Sequence, residues 1–211
     1  MKKGRFIALE GGEGAGKSTQ ARLLAETLAA RGIACRITRE PGGTPGAEAI
    51  RALLLGTEGD GWHPRAEALL FAAARSDHVE RLIRPALEAG EWVICDRFVD
   101  SSRAYQGGAG GLSDAEVLAL HAIGSEGLLP DLTLLFEVSP NIARERLEAR
   151  DGDTADRIGG RDAAYHAAVA AAFVRFAETE PDRFARIDAD APADMVAKRV
   201  LAALQPLLLP A

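Results

Sequence analysis

The chain has 211 residues, 47% of them hydrophobic and 27% charged, with a net charge of −6. That length and apolar content suit one well-buried domain, and the acidic balance excludes the broad basic field of a nucleic-acid or membrane-surface binder. The apolar run at the N-terminus stops at Glu10, short of the roughly 7–15 residues of a secretory core, and no run of about 18 apolar residues offers a membrane span, so a cytoplasmic protein is expected.

Residues 5–10, "RFIALE", read as a short apolar strand buried on both faces of a parallel sheet. A Gly-rich loop follows. The next helix puts Leu23, Leu24, Thr27 and Leu28 on one face and stops at Gly32. Residues 33–38 form the second strand, 39–46 a loop and 47–56 a short helix. Residues 64–90 read as one long helix with a kink at Pro85. The third strand, 91–96, ends in Asp96. Residues 97–111 start at that strand end and run into a flexible loop, in which "GGAGG" lacks the strand–helix context of a phosphate site.

Ser113 and Glu116 form an S-x-x-E capping box that opens a helix to about Glu126. Residues 131–138 are the fourth strand. Ser139 and Pro140 then start a helix as N-cap and first turn. A charged, Gly-containing interruption at 150–162 leads into a helix at 163–180, a fifth strand at 183–188 and a closing helix at 192–208. Cys35 and Cys95 lie in apolar strand-like runs and read as reduced, buried thiols.

Strands alternate with helices about five times. The expected fold is therefore α/β: a three-layer, doubly wound domain with a five-stranded parallel sheet and helices on both faces. Such sheets bind ligands at the carboxyl ends of their strands. Glu10-Gly11, Arg39-Glu40, Asp96-Arg97 and Val138-Ser139 all fall at such ends.

The strongest chemical signal is "GGEGAGKST", Gly11 to Thr19, which matches G-x-x-x-x-G-K-[ST] between a strand and a helix. Backbone N–H groups and the helix N-terminus there hold phosphates. Lys17 reaches the β/γ-phosphates and the Ser18 hydroxyl is placed for Mg²⁺. Only four lysines occur, Lys2, Lys3, Lys17 and Lys198, so Lys17 stands alone between the chain ends. A compact ammonium is wanted where a planar guanidinium would not fit.

Three readings fit a nucleotide loop: a GTP switch, a kinase of small metabolites, and a nucleotide-binding module without catalysis. N-K-x-D and D-x-x-G after a strand, the marks of a GTP switch, do not occur. The third strand instead ends "CDRF". There Asp96 can bind the metal or its waters, and Arg97 can fork onto a second phosphate. Arg39 and Arg51 add cations near strand ends, pointing to an acceptor that already carries a phosphate.

Six stretches appear in the order and spacing of one family: "GGEGAGKST", "TREPGGTP.AE.IR.LLL", "A.LLFAAARSDHV", "VICDRF..SS.AYQG", "LPDLTLLFEVSP" and "ADRI". They resemble bacterial thymidylate kinase over about residues 5–190. The resemblance implies a single domain of P-loop kinase type, with a lid at about 144–161, that transfers the γ-phosphate of ATP to dTMP with Mg²⁺. A deoxynucleoside kinase is the alternative. The resemblance places ATP on Gly11, Gly12, Glu13, Gly14, Ala15, Gly16, Lys17, Ser18 and Thr19, with Arg146 on adenine and Ser18 and Asp96 at the metal.

By the same resemblance Phe71 stacks on thymine, and Arg75, four residues on along one helix face, donates to thymine O4. Ser102 helps read the base edge, and Gln106 lines the same wall. Tyr105 lies under the sugar. Arg39 and Arg97 grip the acceptor phosphate, with Pro41 and Arg51 beside them. Glu13 accepts from the 3′-hydroxyl. The loop holds no arginine, which matches the branch that brings its catalytic cation from the lid. Arg150 is expected in that role beside Lys17, Asp96 and Arg97. Gly159 departs from the family pattern, which often has an acid there. A homodimer is implied by the resemblance.

Overall fold

Strand β1 (Phe6–Gly11) is buried along its whole length, as its unbroken apolar run requires of a strand covered on both faces. The computed structural model describes residues 4–56, 61–151 and 160–208, with the side chains of 150 and 151 outside that description. Around β1 lie β2 (Cys35–Arg39), β3 (Trp92–Asp96), β4 (Leu132–Glu137) and β5 (Phe184–Asp188). The order is β2-β3-β1-β4-β5, and every pairing is parallel. β2 is an edge strand, and its residues are correspondingly more exposed.

Alternate residues of the central strands feed two faces. Ile7, Leu9, Ile94 and Phe136 pack under α1 (Lys17–Ala29) and α9 (Ala193–Ala203). Phe6, Ala8, Val93 and Cys95 pack against Val79, Ile83 and Leu87 on the other side. The five-stranded parallel sheet with helices on both faces is the architecture expected from the strand–helix alternation. Cys35 and Cys95 are both free thiols.

The long helix expected over 64–90 is α3 (Pro64–His78), which passes through a π-helical turn, Val79–Ile83, into α4 (Arg84–Glu88). Pro85 sits in the first turn of α4, where its missing N–H does least harm. The π turn just before it absorbs the irregularity. α2 (Pro45–Gly56) starts two residues before the expected position.

The segment 97–111, expected to run into a flexible loop, is helical from Val99 to Ala109. Val99–Ser102 is α5, and Arg103–Ala109 continues it as a π-helix with Arg103 through Gly107 buried. Its glycines serve close packing rather than mobility. A Cβ on Gly108 would stand 2.7 Å from the Cβ of Ala172 on α8 (Ala163–Thr179). A run of glycines read alone cannot distinguish tight packing from freedom. α6 (Asp114–Ser125) opens on the predicted capping box, formed in both directions by Ser113 and Glu116. α7 is Pro140–Asp151, and α10 (Gln205–Leu208) closes the described chain. Of the interruption expected over 150–162, residues 152–159 lie outside the described residues.

Candidate active site

The phosphate loop leaves β1 at Gly11 and turns into α1 at Lys17. Gly14 has φ 69°, and a Cβ there would stand 2.5 Å from the carbonyl oxygen of Ala143 on α7. A glycine is therefore required both by backbone conformation and by space. Lys17 Nζ donates to the carbonyls of Gly11 at 3.1 Å and Gly12 at 2.7 Å. Burial, then the neighbouring Arg97 cation, pull its pKa down to about 8.

Ser18 Oγ donates to Asp96 Oδ2 at 2.7 Å. A hydroxyl and a carboxylate thus converge beside the N-terminus of α1. These hard oxygens suit Mg²⁺, which commonly takes one or two protein groups and completes its shell with phosphate oxygens and water. Among the described residues no group of three or more His, Cys, Asp or Glu forms a metal cage. The pair therefore fits a cation that arrives with a nucleotide.

Arg97 follows Asp96 with φ 69°, a left-handed conformation uncommon outside glycine. Its Nη1 donates to Gly11 O at 3.3 Å and Ser101 Oγ at 3.2 Å. The turn is fixed from beneath by Glu10, which the sequence reading treated only as a strand end. Glu10 is fully buried. It accepts from the Phe98 N–H at 2.7 Å, the Ser101 N–H at 3.0 Å and the Ser101 hydroxyl at 2.6 Å. Burial, then the Asp100 charge, push its pKa up to about 7. The one signal in the sequence is an acid ending an otherwise apolar strand.

A cleft opens beside this turn. Glu13, Pro41, Arg51, Phe71, Arg75, Arg97, Ser102, Tyr105 and Gln106 all line it. Leu55, Phe98 and Ser101 line it as well, with no signal in the sequence, and so does Glu40, marked there only as a strand end. Arg75 is buried on Glu40, with Nε donating to Oε2 at 2.7 Å and Nη2 to Ser102 Oγ at 2.7 Å. Arg51 donates to Pro41 O at 2.8 Å.

A second cleft runs along the phosphate loop. Gly14 through Thr19, Asp96 and Arg146 border it. Arg146 spans its far side, donating to Gly14 O at 3.4 Å, Ala189 O at 2.9 Å and Ala191 O at 3.1 Å. Arg39 borders this cleft rather than the first, and its guanidinium pairs with Glu48 at 2.9 Å. Both partners are well exposed, so the pair is weak and exchangeable. Glu13, Glu40, Arg51 and Arg97 line both clefts. The side chain of Arg150, at the end of α7, lies outside the described residues.

Comparison with known proteins follows the same lines. A family model described as thymidylate kinase matches residues 9–200. The chain is 57% identical over 205 residues to a thymidylate kinase of Rhizorhabdus wittichii, covering 97% of this chain and 99% of that protein. It is 47% identical over 209 residues to one of Bradyrhizobium diazoefficiens, covering 99% and 92%. The crystal structure of thymidylate kinase from Ehrlichia chaffeensis superposes with a TM-score of 0.76 at 30% identity, covering 96% of this chain and 100% of that one.

Proposed function

The chain belongs to the thymidylate kinase family and is an ATP-dependent dTMP kinase, and from that premise we propose how its own residues hold both substrates and move the phosphoryl group. The ATP phosphates lie on the backbone N–H groups of Gly11–Thr19. Lys17 exchanges its carbonyl partners for β- and γ-phosphate oxygens, and Arg146 lies against adenine. Ser18 and Asp96 hold Mg²⁺, which when bound neutralises charge building on those oxygens.

The dTMP base enters the first cleft with Phe71 on the ring, Arg75 and Ser102 at its polar edge and Gln106 on the wall. Tyr105 lies under the sugar, beside Pro41. Arg97, Arg51 and a released Arg39 meet the acceptor phosphate. A phosphate oxygen of dTMP bonds to the γ-phosphorus while the bond to the β-bridging oxygen breaks, leaving ADP and dTDP. Arg150, from the lid at 144–161, brings the cation for the transferred group.

The observation that carries this reading is that Glu13, Arg51 and Arg97 border both clefts. One wall thereby joins the donor phosphates to the acceptor. An acid in a phosphate loop is then explained, because its carboxylate faces the acceptor sugar. We extend the proposal to a cytoplasmic homodimer. The exposed Leu53, Leu69 and Ile123 on the neighbouring α2, α3 and α6 support an interface there.

The test is a coupled ADP-release assay with ATP and Mg²⁺ against dTMP, dUMP, dCMP, UMP, AMP and thymidine. Preference for dTMP with thymidine inert is expected. Turnover of thymidine with dTMP inert would make the enzyme a nucleoside kinase and remove the phosphate roles of Arg39 and Arg97. A second expectation concerns Glu13→Ala. A hydrogen bond to a charged group is worth about 1.5–3 kcal/mol, so KM for dTMP should rise roughly 10–100-fold while KM for ATP changes little. Equal loss of both substrates sinks the sugar-binding role.

A further inference from the structure

Two buried carboxylates bear on side chains of the acceptor cleft, Glu67 from outside its lining and Glu40 from its own border. Glu67, on α3, accepts from Gln106 Nε2 at 3.0 Å through Oε1. Its Oε2 accepts from Arg161 at 2.7 Å. Glu40 accepts from Arg75 Nε at 2.7 Å through Oε2, and its Oε1 meets His78 Nδ1 at 3.1 Å. His78 is in turn seated on Thr38 Oγ1 at 2.7 Å. Glu67 and Glu40 are 2% and 6% exposed, so neither bond is exchanged freely with solvent.

The consequence is a matter of polarity. A carboxylate only accepts. The Gln106 amide must therefore turn its NH₂ toward Glu67, leaving Oε1 as an acceptor without a protein partner among the described residues. Arg75 has Nε committed to Glu40 and Nη2 to Ser102 and the Phe98 carbonyl. Its Nη1 is left as a donor without a protein partner among the described residues. Gln106 and Arg75 line the same cleft.

A thymine edge offers an acceptor at O4 and a donor at N3–H. A cytosine edge offers the reverse, a donor at N4 and an acceptor at N3. A glutamine alone would serve either base by turning its amide over. An arginine alone would swing to another donor edge. We propose that Glu67 and Glu40 are the positioning residues that set the base selectivity of the acceptor site, Glu67 by locking the Gln106 carbonyl toward the base and Glu40 by locking one donor edge of Arg75. The proposal rests on the dTMP reading of this cleft. His78 and Arg161 hold the two carboxylates in place from behind, so the fixed donor–acceptor pattern is built before any ligand arrives. Cytosine would meet donor with donor and acceptor with acceptor, the mismatch that discriminates most strongly because it leaves buried polar groups unpaired.

The test is the ratio of kcat/KM for dTMP to that for dCMP in wild type, Glu67→Gln and Glu40→Gln. Both substitutions keep shape and volume, and each is checked by its melting temperature. An amide at 67 can present either its oxygen or its NH₂, so Gln106 regains the freedom to invert. The ratio is expected to fall about tenfold or more in Glu67→Gln, with dCMP turnover rising or holding as dTMP turnover falls. Glu40→Gln is expected to lower the ratio through Arg75. The two substitutions act on different readers, so one folded variant suffices. Equal losses for both nucleotides, with the ratio unchanged, would make the carboxylates merely structural and overturn the proposal. A wild-type enzyme that prefers dCMP would instead fail the dTMP reading itself, and the two failures are distinguishable.

Discussion

Lys17→Ala is expected to lower kcat with dTMP by about 10²–10³-fold, the usual cost of deleting one preorganised charge that meets the transition state. Lys17 is the only lysine in a span of almost two hundred residues, and its ammonium is already folded over the loop on Gly11 O and Gly12 O. The ammonium is thus held in the loop before ATP binds, in a buried place with little solvent to reorganise around it. Lys17→Arg is expected to rescue little, because a planar fork cannot occupy a slot built for a compact ammonium.

The pH profile gives an independent check. Burial holds the Lys17 pKa near 8 rather than the usual 10.5. As pH rises through about 8 the free enzyme loses its cation, so kcat/KM for ATP, which reports the free enzyme, is expected to decline on that limb. Lys17→Ala should lack the limb. A Lys17→Arg enzyme of near-normal kcat would show that the site needs only a positive charge, and the argument from shape would fall.

Arg103→Met is expected to lower the melting temperature by roughly 6–20 °C, the shift that a loss of about 3–5 kcal/mol produces in a domain of this size. Arg103 is buried. It donates to Asp100 at 2.9 Å, Asp114 at 2.7 Å and Glu180 at 2.7 Å, and its guanidinium lies 4.1 Å from the centre of the Phe176 ring. Asp100, with no exposed surface, also takes both arms of Arg183. Removing Arg103 leaves three acids facing one arginine. Removing the charge of Asp100 leaves two against two. Arg103→Met is therefore expected to cost more than Asp100→Asn, by thermal melting at matched pH and salt. The same arginine begins the π-helix that carries Tyr105 and Gln106, so KM for dTMP should rise in any Arg103→Met protein that folds. Melting within about 2 °C of wild type would show that water at Asp114 and Glu180 already screens the cluster, as it does for exposed pairs.

Much of the site is legible without coordinates because it is local. The phosphate loop is nine consecutive residues between a strand and a helix, and its conformation depends on its own glycines and on the helix that follows. Asp96 and Arg97 are adjacent at a strand end, and a parallel sheet brings such ends together by construction. The pairing of Arg39 with Asp96 and of Leu9 with Asp96 is that convergence. Helix periodicity likewise puts Phe71 and Arg75 on one face. Of the acceptor-cleft lining, these rules reach Arg97, Phe71 and Arg75, whereas Glu13, Pro41, Ser102, Tyr105 and Gln106 were placed by the family resemblance; Arg39 borders the nucleotide cleft and pairs with Glu48.

The rest depends on contacts between residues far apart in the chain. Glu10 holds Ser101 across 91 positions, and Gln106 is oriented by Glu67 across 39. No periodicity or spacing marks such pairs, because each exists only once the sheet has stacked β1 beside β3 and α3 has packed against the segment after it. Gly107 and Gly108 show the same limit: their sequence is that of a mobile loop, yet they lie in a helix, with Gly108 set close against α8. The sequence alone determined the fold class, the phosphate loop and the residues at the strand ends, since those are set by local conformation and strand order. The tertiary structure decided which buried carboxylate stands behind each functional side chain, and with it the direction in which each hydrogen bond points.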